Sequence, residues 1–175
     1  MYNEVVCSVC QNKSIAFDNF LTLHVSVENG GSIISSLKNL FKSEKLSGKN
    51  QFHCVKCSRD QDSIKQSYLW RFPLILIIHL KRFITSGYFS KKNNSPVYVN
   101  ETLNMAGINK KFSANYFLIG SVNHMGSLQG GHYTATCKNM GSQKWYYLND
   151  GLCTECNNFG SKESSSSYIL FYQKK

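Results

Sequence analysis

Leu74-Ile75-Leu76-Ile77-Ile78-His79-Leu80 is the most strongly apolar stretch of the chain, and it directly follows Pro73. Successive residues of a β-strand point to opposite faces of a sheet. A run that is apolar at both odd and even positions therefore predicts a strand buried on both faces. Such a strand belongs in the middle of a sheet, so this stretch is the expected centre of the hydrophobic core.

Weaker patterns surround this strand. Mostly apolar odd positions from Phe17 to Val27 predict one half-buried strand. Ser32 can cap a short helix with a single apolar stripe, formed by Ile33, Ile34, Leu37, Leu40 and Phe41. The polar residues 85–96 predict a loop. Further strands are expected at Phe52–Cys57, Ile64–Trp70, Tyr116–Val122, 132–138, 144–149 and Tyr168–Tyr172. Strands dominate over helices, which indicates the α+β class.

The formal charge of +10 over 175 residues suggests a nucleic-acid partner. However, no basic run exceeds two residues, which is typical of a solvated surface, so no specific nucleic acid is expected. No apolar run approaches the ~20 residues of a membrane span, and the N-terminus lacks the features of a signal peptide. We therefore predict no membrane partner and a cytoplasmic or nuclear localisation. The oligomeric state stays open.

Two cysteine pairs have the spacing of metal ligands. Cys7-x-x-Cys10 and Cys54-x-x-Cys57 each place two sulfurs on one turn, and together they can complete a tetrahedral four-thiolate site. The sequence therefore predicts a structural Zn²⁺ ion that joins two distant hairpins. The alternative is a group of buried cysteines without metal. A third pair, Cys153 and Cys156, has no partner pair left and is not expected to bind metal.

A histidine follows two glycines in Gly130-Gly131-His132-Tyr133-Thr134-Ala135. The glycines would let another backbone approach closely. If His132 begins a strand, it shares one face with Thr134 and Thr136, while Cys137 points to the opposite face. Cys137 therefore cannot act as a nucleophile beside His132 and is expected in the core.

The residue that orients His132 depends on the strand register. If residues 139–143 form the turn, Lys138 pairs with Lys144, and His132 stands opposite Asp150 with Cβ atoms ~5 Å apart. A slip of one residue would present Asn149 instead. Either side chain can orient an imidazole, as the third member of a Cys-His-Asn or Cys-His-Asp triad does.

Several blocks of sequence, taken together and in order, resemble one family. The blocks are Cys7-x-x-Cys10, Phe17-Asp18-Asn19-Phe20-Leu21-x-Leu23, the segment Glu44 to Cys57, Leu69-Trp70-Arg71-Phe72-Pro73 with the following strand to Phe83, Gly131-His132-Tyr133-Thr134-Ala135, and Trp145-Tyr146-Tyr147-Leu148-Asn149-Asp150. In this order they are similar to the fingers, the central strand and the histidine box of the ubiquitin-specific proteases. The resemblance spans essentially the whole chain.

The resemblance implies a papain-like cysteine protease domain that cleaves after the C-terminal glycine of ubiquitin. The chain would be a partial domain over 1–175, with fingers mainly in 1–70, palm mainly in 71–175, and no thumb. His132 would be the general base. By its position after Trp145, Asn149 is preferred over Asp150 as the third member of the triad. Gly130, Gly131 and Tyr133 would line the channel for the ubiquitin tail, and ubiquitin or ubiquitinated proteins would be the partners.

The resemblance also predicts that these residues are not active alone. In the family, the nucleophilic cysteine lies in a block upstream of the first zinc pair, and only six residues precede Cys7 here. The first interpretation is part of an active deubiquitinase. One alternative is a non-catalytic ubiquitin-binding module, and a remote one is a nucleic-acid binder held together by zinc.

Overall fold

A computed structural model of the chain describes residues 1–86, 89–108, 113–156 and 162–175. Strands dominate these residues, as expected for the α+β class. The strands are, in chain order, β1 (Tyr2–Cys7), β2 (Lys13–Phe17), β3 (Thr22–Ser26), β4 (Glu44–Leu46), β5 (Phe52–Cys54), β6 (Arg59–Gln61), β7 (Ser63–Tyr68), β8 (Ile75–Lys81), β9 (Phe83–Ser86), β10 (Phe89–Lys92), β11 (Val97–Val99), β12 (Thr102–Asn104), β13 (Asn115–Gly126), β14 (Gly131–Lys138), β15 (Trp145–Asn149), β16 (Leu152–Cys156), β17 (Lys162–Ser164) and β18 (Ser167–Lys174).

Helices are few in the described residues. The α-helix α1 spans Ile33–Leu40, and short 3₁₀ helices span Gly48–Asn50 and Met105–Gly107. Ser32 caps α1 as predicted, because its side chain accepts a hydrogen bond from the backbone N–H of Ser35. Among the described residues, we find no helix with the length and apolar character that a membrane crossing needs.

An eight-stranded sheet forms the larger part of the molecule. Its strand order is β16-β15-β14-β13-β18-β8-β3, with β12 paired to β13. The ladders are antiparallel except for β3 with β8, which run parallel. Helix α1 packs against one face of this sheet, where apolar side chains of β3, β8, β13 and β18 form the core with those of α1, β11 and β12.

The apolar strand β8 is buried on one face only. Leu76, Ile78 and Leu80 are fully buried in the core, but Ile75 is 41% exposed on the opposite face, and Ile77 and His79 are half-buried there. The expectation of burial on both faces is therefore wrong. The physical reason is that, within the described residues, α1 and the core cover only one side of this part of the sheet.

A smaller, four-stranded sheet has the order β2-β1-β7-β4, and β5 pairs with β6 in a separate hairpin. The single strand expected from Phe17 to Val27 is wrong, because Phe17 ends β2 in this sheet whereas Thr22–Ser26 is β3 in the eight-stranded sheet. The chain leaves the smaller sheet at Asp18, where the last backbone hydrogen bond of the β1–β2 pair joins its N–H to the Met1 carbonyl.

Two expected loops are partly strand. Within the segment 85–96, β9 and β10 form an antiparallel hairpin, although residues 87–88 lie outside the described part. The expected strands Tyr116–Val122 and 132–138 leave residues 123–131 as their connecting loop. The loop is shorter than that, because β13 continues to Gly126 and pairs there with Gly131 of β14.

A buried arginine ties the end of β8 to two other segments. Arg82 is fully buried, and its guanidinium donates hydrogen bonds to four backbone carbonyls. Burial lowers its pKa. The acceptors are Asn93, Ser95, Ser164 and Ser167. These bonds hold the segment of Asn93 and Ser95, and the segment of Ser164 and Ser167, against the end of β8.

Candidate active site and metal centre

The hairpin of β14 and β15 has a register that differs from the symmetric one. Lys138 pairs with Trp145, not with Lys144, and the ladder runs to Ala135 opposite Leu148. The turn includes Lys144, whose carbonyl oxygen accepts a hydrogen bond from the backbone N–H of Asn139. The prediction that His132 stands directly opposite Asp150 is therefore wrong, since the register is shifted by one residue.

His132 contacts Asn149 across the end of this hairpin. Its Nε2 lies 2.5 Å from Oδ1 of Asn149 and 3.9 Å from Oδ2 of Asp150. A carbonyl oxygen can only accept, so Nε2 carries the proton and Nδ1 keeps the lone pair in the neutral ring. His132 is 45% exposed and Asp150 82%, so both are open to solvent. The geometry therefore offers a base nitrogen at Nδ1.

The turn after β15 explains why Asn149 and not Asp150 approaches the ring. Asn149 is the last strand residue and pairs with Leu152, which leaves Asp150 and Gly151 as a two-residue loop. Asp150 has φ +49°, a left-handed conformation that short polar residues tolerate. The chain turns away at Asp150, so the Asn149 side chain remains on the strand face that His132 shares.

None of the seven cysteines is placed beside the His132 ring. Cys7, Cys10, Cys54 and Cys57 lie in one cluster. Cys137 points to the face opposite His132, and Cys153, paired with Leu148, shares that opposite face. Cys156 pairs with Trp145, four residues along β15 from Asn149, which at ~3.3 Å per residue is ~13 Å away.

Cys137 is not a core residue. It is half-buried, and the core forms on the other face of β14, where Thr134 and Thr136 are buried. The expectation that Cys137 belongs to the core is therefore wrong, although its orientation away from His132 is as predicted. The sheet face that carries Cys137 is the less covered face, as Ile75 also indicates.

The two glycines before His132 differ in their surroundings. A Cβ atom on Gly131 would lie 2.6 Å from the carbonyl oxygen of Met125 and against the ring of His124. A Cβ atom on Gly130 would meet nothing within 4 Å. Gly131 is therefore required by its own neighbours on β13, whereas Gly130 borders open space. Tyr133 is 54% exposed on the opposite side of β14 from His132.

A row of aromatic rings on the less covered sheet face was not predicted from the sequence. His124 is buried under Tyr133 with ring centroids 4.6 Å apart, and Tyr168 contacts both rings. Tyr168 lies in a bulge, because Ile169 pairs with Val122 and Ser167 with Asn123. Burial, together with the charge of Lys92, lowers the pKa of His124. A single sequence gives no signal for such a bulge.

The four predicted metal ligands form one cluster. Each of Cys7, Cys10, Cys54 and Cys57 has its Sγ within 4.8 Å of the other three. Cys7 ends β1 and Cys54 ends β5, and both are buried, whereas Cys10 and Cys57 lie in the turns that follow. The second cysteine of each pair is followed directly by a residue with positive φ, Gln11 or Ser58. The two pairs therefore have the same local geometry.

The donor set fits a metal ion of zinc type. Four sulfurs at ~2.3 Å from a tetrahedral Zn²⁺ are ~3.8 Å from one another, which the observed cluster accommodates with small shifts. The Sγ atoms of Cys10 and Cys54 are 3.5 Å apart. Backbone N–H groups, chiefly that of Cys10, lower the pKa of Cys7 to about 7, and hydrogen bonding to Cys10 raises that of Cys57 to about 12. Four thiols held this close can bind a metal ion.

Curated relatives match nearly the whole chain. The chain is 35% identical to the ubiquitin carboxyl-terminal hydrolase Usp2 of Drosophila melanogaster, over 96% of its own length and 18% of the relative. It is 33% identical to ubiquitin carboxyl-terminal hydrolase 8 of Saccharomyces cerevisiae, over 97% of the chain and 38% of the relative. It is 30% identical to human ubiquitin carboxyl-terminal hydrolase 2, over 98% and 29%. The chain thus spans well under half the length of these relatives.

Solved structures share the fold. The chain superposes with a TM-score of 0.85 and 28% identity on a structure of the SAGA Ubp8/Sgf11/Sus1/Sgf73 DUB module bound to ubiquitin aldehyde, covering 99% of this chain and 40% of that one. With the same module bound to monoubiquitin, the TM-score is 0.86 at 30% identity and the same coverage. A family model described as "Ubiquitin carboxyl-terminal hydrolase" matches residues 1–172. With this match over almost its full length, the chain belongs to the ubiquitin carboxyl-terminal hydrolase family.

Proposed function

We propose that this chain is part of a cysteine-type deubiquitinase, which hydrolyses the bond after the C-terminal glycine of ubiquitin. In this proposal the chain supplies the general base, His132. The observation that carries the proposal is the 2.5 Å contact between Nε2 of His132 and Oδ1 of Asn149. That contact fixes the tautomer with the basic lone pair on Nδ1. A histidine oriented in this way is the general base of Cys-His-Asn proteases.

In the proposed reaction, Nδ1 of His132 takes the proton of a thiol, and the thiolate attacks the carbonyl carbon of the ubiquitin C-terminal glycine. The resulting imidazolium then gives its proton to the leaving amine, and water later releases ubiquitin from the thioester. Asn149 holds the ring in place through both transfers. The exposed Asp150, 3.9 Å away, is the second candidate for this supporting role.

The thiol in this scheme would come from a protein segment outside these 175 residues. Four cysteines lie in the cluster of predicted metal ligands. The other three point away from His132 or lie too far from it along the strands. We therefore propose that the 175-residue chain does not hydrolyse ubiquitin bonds alone. The same placement supports a second candidate function, a ubiquitin-binding module without catalysis.

The ubiquitin tail would pass the loop that precedes His132. Gly130 borders open space, and Tyr133 exposes its ring on the sheet face opposite His132, so both are accessible to a bound peptide. Gly131, which is held against His124 and Met125, would set the position of the channel wall that this loop forms. A channel without side chains on one wall suits a substrate that ends in two glycines. We assign Gly130, Gly131 and Tyr133 to this role.

The four clustered cysteines would hold Zn²⁺ in a closed structural site. Four thiolates saturate a tetrahedral ion, which leaves no position for substrate or water, so this site would stabilise the fold and take no part in hydrolysis.

The division into fingers mainly in 1–70 and palm mainly in 71–175 belongs to the same proposal. Strand β3 and helix α1 are parts of the first segment that lie with the eight-stranded sheet.

The proposed partners are ubiquitin and ubiquitinated proteins. Both neighbouring structures of the Ubp8 module contain a ubiquitin species, which supports this partner. We expect neither a specific nucleic acid nor a membrane as a partner. The cytoplasm or the nucleus is the proposed location, where a reducing environment would keep cysteine thiols available for metal.

A ubiquitin carrying a thiol-reactive group at its C-terminus tests the proposal. We expect the chain to bind immobilised ubiquitin but to form no covalent adduct with the reactive ubiquitin. In a fusion that adds the nucleophile-bearing part of a relative, an adduct should form, and His132→Ala should slow it. An adduct with the chain alone would contradict the cysteine assignment, and the absence of any ubiquitin binding would contradict the function.

A further inference from the structure

Two histidines face each other on neighbouring strands, away from the candidate active site. His24 of β3 and His79 of β8 are direct partners in the parallel ladder. Their Nδ1 atoms are 3.0 Å apart, and the two rings are 75° from coplanar. His24 is exposed and His79 half-buried, so solvent reaches the pair. Both rings stand on the sheet face that the core does not cover.

The separation of the two nitrogens suits a metal ion. Imidazole nitrogens bind divalent transition metals at ~2.0–2.1 Å. Two nitrogens 3.0 Å apart then subtend an angle of ~94° at the metal, whereas a tetrahedral ion would need them ~3.3 Å apart. An angle near 90° is the cis angle of square-planar and octahedral complexes, which Cu²⁺ and Ni²⁺ form with nitrogen and oxygen ligands.

We propose that His24 and His79 form a two-histidine site for a divalent transition-metal ion of square-planar or octahedral preference, such as Ni²⁺ or Cu²⁺, with water in the remaining positions. In the metal-free chain one Nδ1–H donates to the other Nδ1. Binding replaces this hydrogen bond with two metal–nitrogen bonds. The proton of the donor ring moves from its Nδ1 to its own Nε2 through solvent, so both rings stay neutral, and the rings turn so that both Nδ1 lone pairs converge.

The surrounding charges set the conditions for binding. Burial lowers the pKa of His79, and the neighbouring His24 and Lys81 lower it further. The lowered pKa keeps the His79 ring neutral at neutral pH, which leaves its lone pair available to a metal. Lys81, two residues along β8 on the same face, repels a cation and so weakens the site. Tyr168 packs edge-on against His79 with ring centroids 4.6 Å apart and restricts how that ring can turn.

The site lies on the same sheet face as Tyr133, one of the residues assigned to the proposed ubiquitin channel. Tyr168 contacts His79 on one side and Tyr133 on the other, with centroids 4.6 Å and 6.4 Å away. A metal ion that fixes the His79 ring therefore also restricts Tyr168, which borders Tyr133. The metal site itself does not depend on the proposed function, since it rests only on the geometry of β3 and β8.

Calorimetric titration of the full chain with Ni²⁺ at pH 7.5 tests the proposal. The chain is first loaded with Zn²⁺ so that the four clustered cysteines are occupied. We expect one Ni²⁺ per chain, and binding weakened roughly 10–100-fold in His24→Gln and in His79→Gln. His53→Gln, at an exposed histidine paired with Asp60 on the β5–β6 hairpin, is the matched control and should bind as the wild type does.

Three results would overturn the proposal. Equal Ni²⁺ affinity in the wild type and His24→Gln places the ion elsewhere. Near-ultraviolet Ni²⁺–thiolate absorption places it on the cysteines. No binding at millimolar Ni²⁺ leaves the pair as a hydrogen bond only. Since His24 is exposed, His24→Gln should keep the fold, which far-ultraviolet circular dichroism verifies.

Discussion

The four-stranded and eight-stranded sheets are stabilised in different ways. The larger sheet buries one face against α1 in a continuous apolar core that includes Leu23, Ile78 and Leu170. In the smaller sheet, every residue of β2 is exposed, including Ile15 and Phe17. In the part of the chain that the structure describes, no strand of the smaller sheet contributes to the apolar core cluster.

We infer a structural role for the cysteine cluster from this difference between the two sheets. Cys7 and Cys54 are among the few buried residues of the smaller sheet and its β5–β6 hairpin, and their sulfurs meet. A region with so little apolar burial gains little from the hydrophobic effect. A bound metal ion would supply the missing stability, so we expect the smaller sheet to depend on metal and the larger sheet on its core.

The largest expected effect is that of Cys54→Ser. Removing one of four thiolates should forfeit much of the ~10–16 kcal/mol that structural Zn²⁺ contributes in zinc-finger peptides. Amide exchange should then become fast in the smaller sheet and stay slow in the larger one. Cys153→Ser, at an exposed cysteine outside the cluster, is the control and should leave exchange unchanged. If Cys54→Ser behaved like the control, metal would not stabilise this sheet.

A second effect should appear in the larger sheet. Ile78→Ala removes a fully buried side chain and should lower the free energy of unfolding by ~2–5 kcal/mol, through lost burial and a cavity. Ile15→Ala in the smaller sheet should change it by less than ~0.5 kcal/mol, because Ile15 is 51% exposed. Urea denaturation of the two variants measures both. Equal losses would remove the distinction between the sheets.

The glycines before His132 provide a third comparison, inside the larger sheet. Gly131→Ala forces a methyl group against Met125 and His124 and should cost ~1–3 kcal/mol. Gly130→Ala, with open space around it, should cost far less. Thermal unfolding of the two variants distinguishes them. Equal stabilities would show that Gly131 is not confined by its neighbours.

The smallest effect is a pH dependence of the larger sheet. His124 and His79 have folded-state pKa values below the ordinary 6.5, so the unfolded chain binds protons more readily than the folded chain. Their contribution to stability is present above about pH 6.5 and is lost as the pH falls towards their folded pKa values. The unfolding temperature should drop between pH 7.5 and 5.5, and less so in His79→Gln. A rise on acidification would contradict these pKa directions.

The sequence predicted features that depend on neighbouring residues. The capping of α1 by Ser32 and the orientation of Cys137 away from His132 follow from local periodicity, and both are confirmed. The grouping of the four cysteines followed from their spacing. These features needed no knowledge of distant contacts.

Features set by tertiary contacts could not be predicted in the same way. The exposure of Ile75 depends on which sheet face α1 covers. The register that brings Asn149 to His132 depends on Lys144 joining the turn. The burial of Arg82 requires carbonyls from residues far along the chain. The pairing of His24 with His79 requires two strands that are parallel and far apart in sequence.

The most direct test of the central claim is a nuclear magnetic resonance titration of ¹⁵N-labelled ubiquitin with the Zn²⁺-loaded chain. We predict shifts or broadening at the C-terminal tail of ubiquitin, with no change in the mass of either protein. Tyr133→Ala, at an exposed residue of the proposed channel, should reduce the shifts. A spectrum of ubiquitin that does not change with excess chain would contradict the assignment of this chain to ubiquitin recognition.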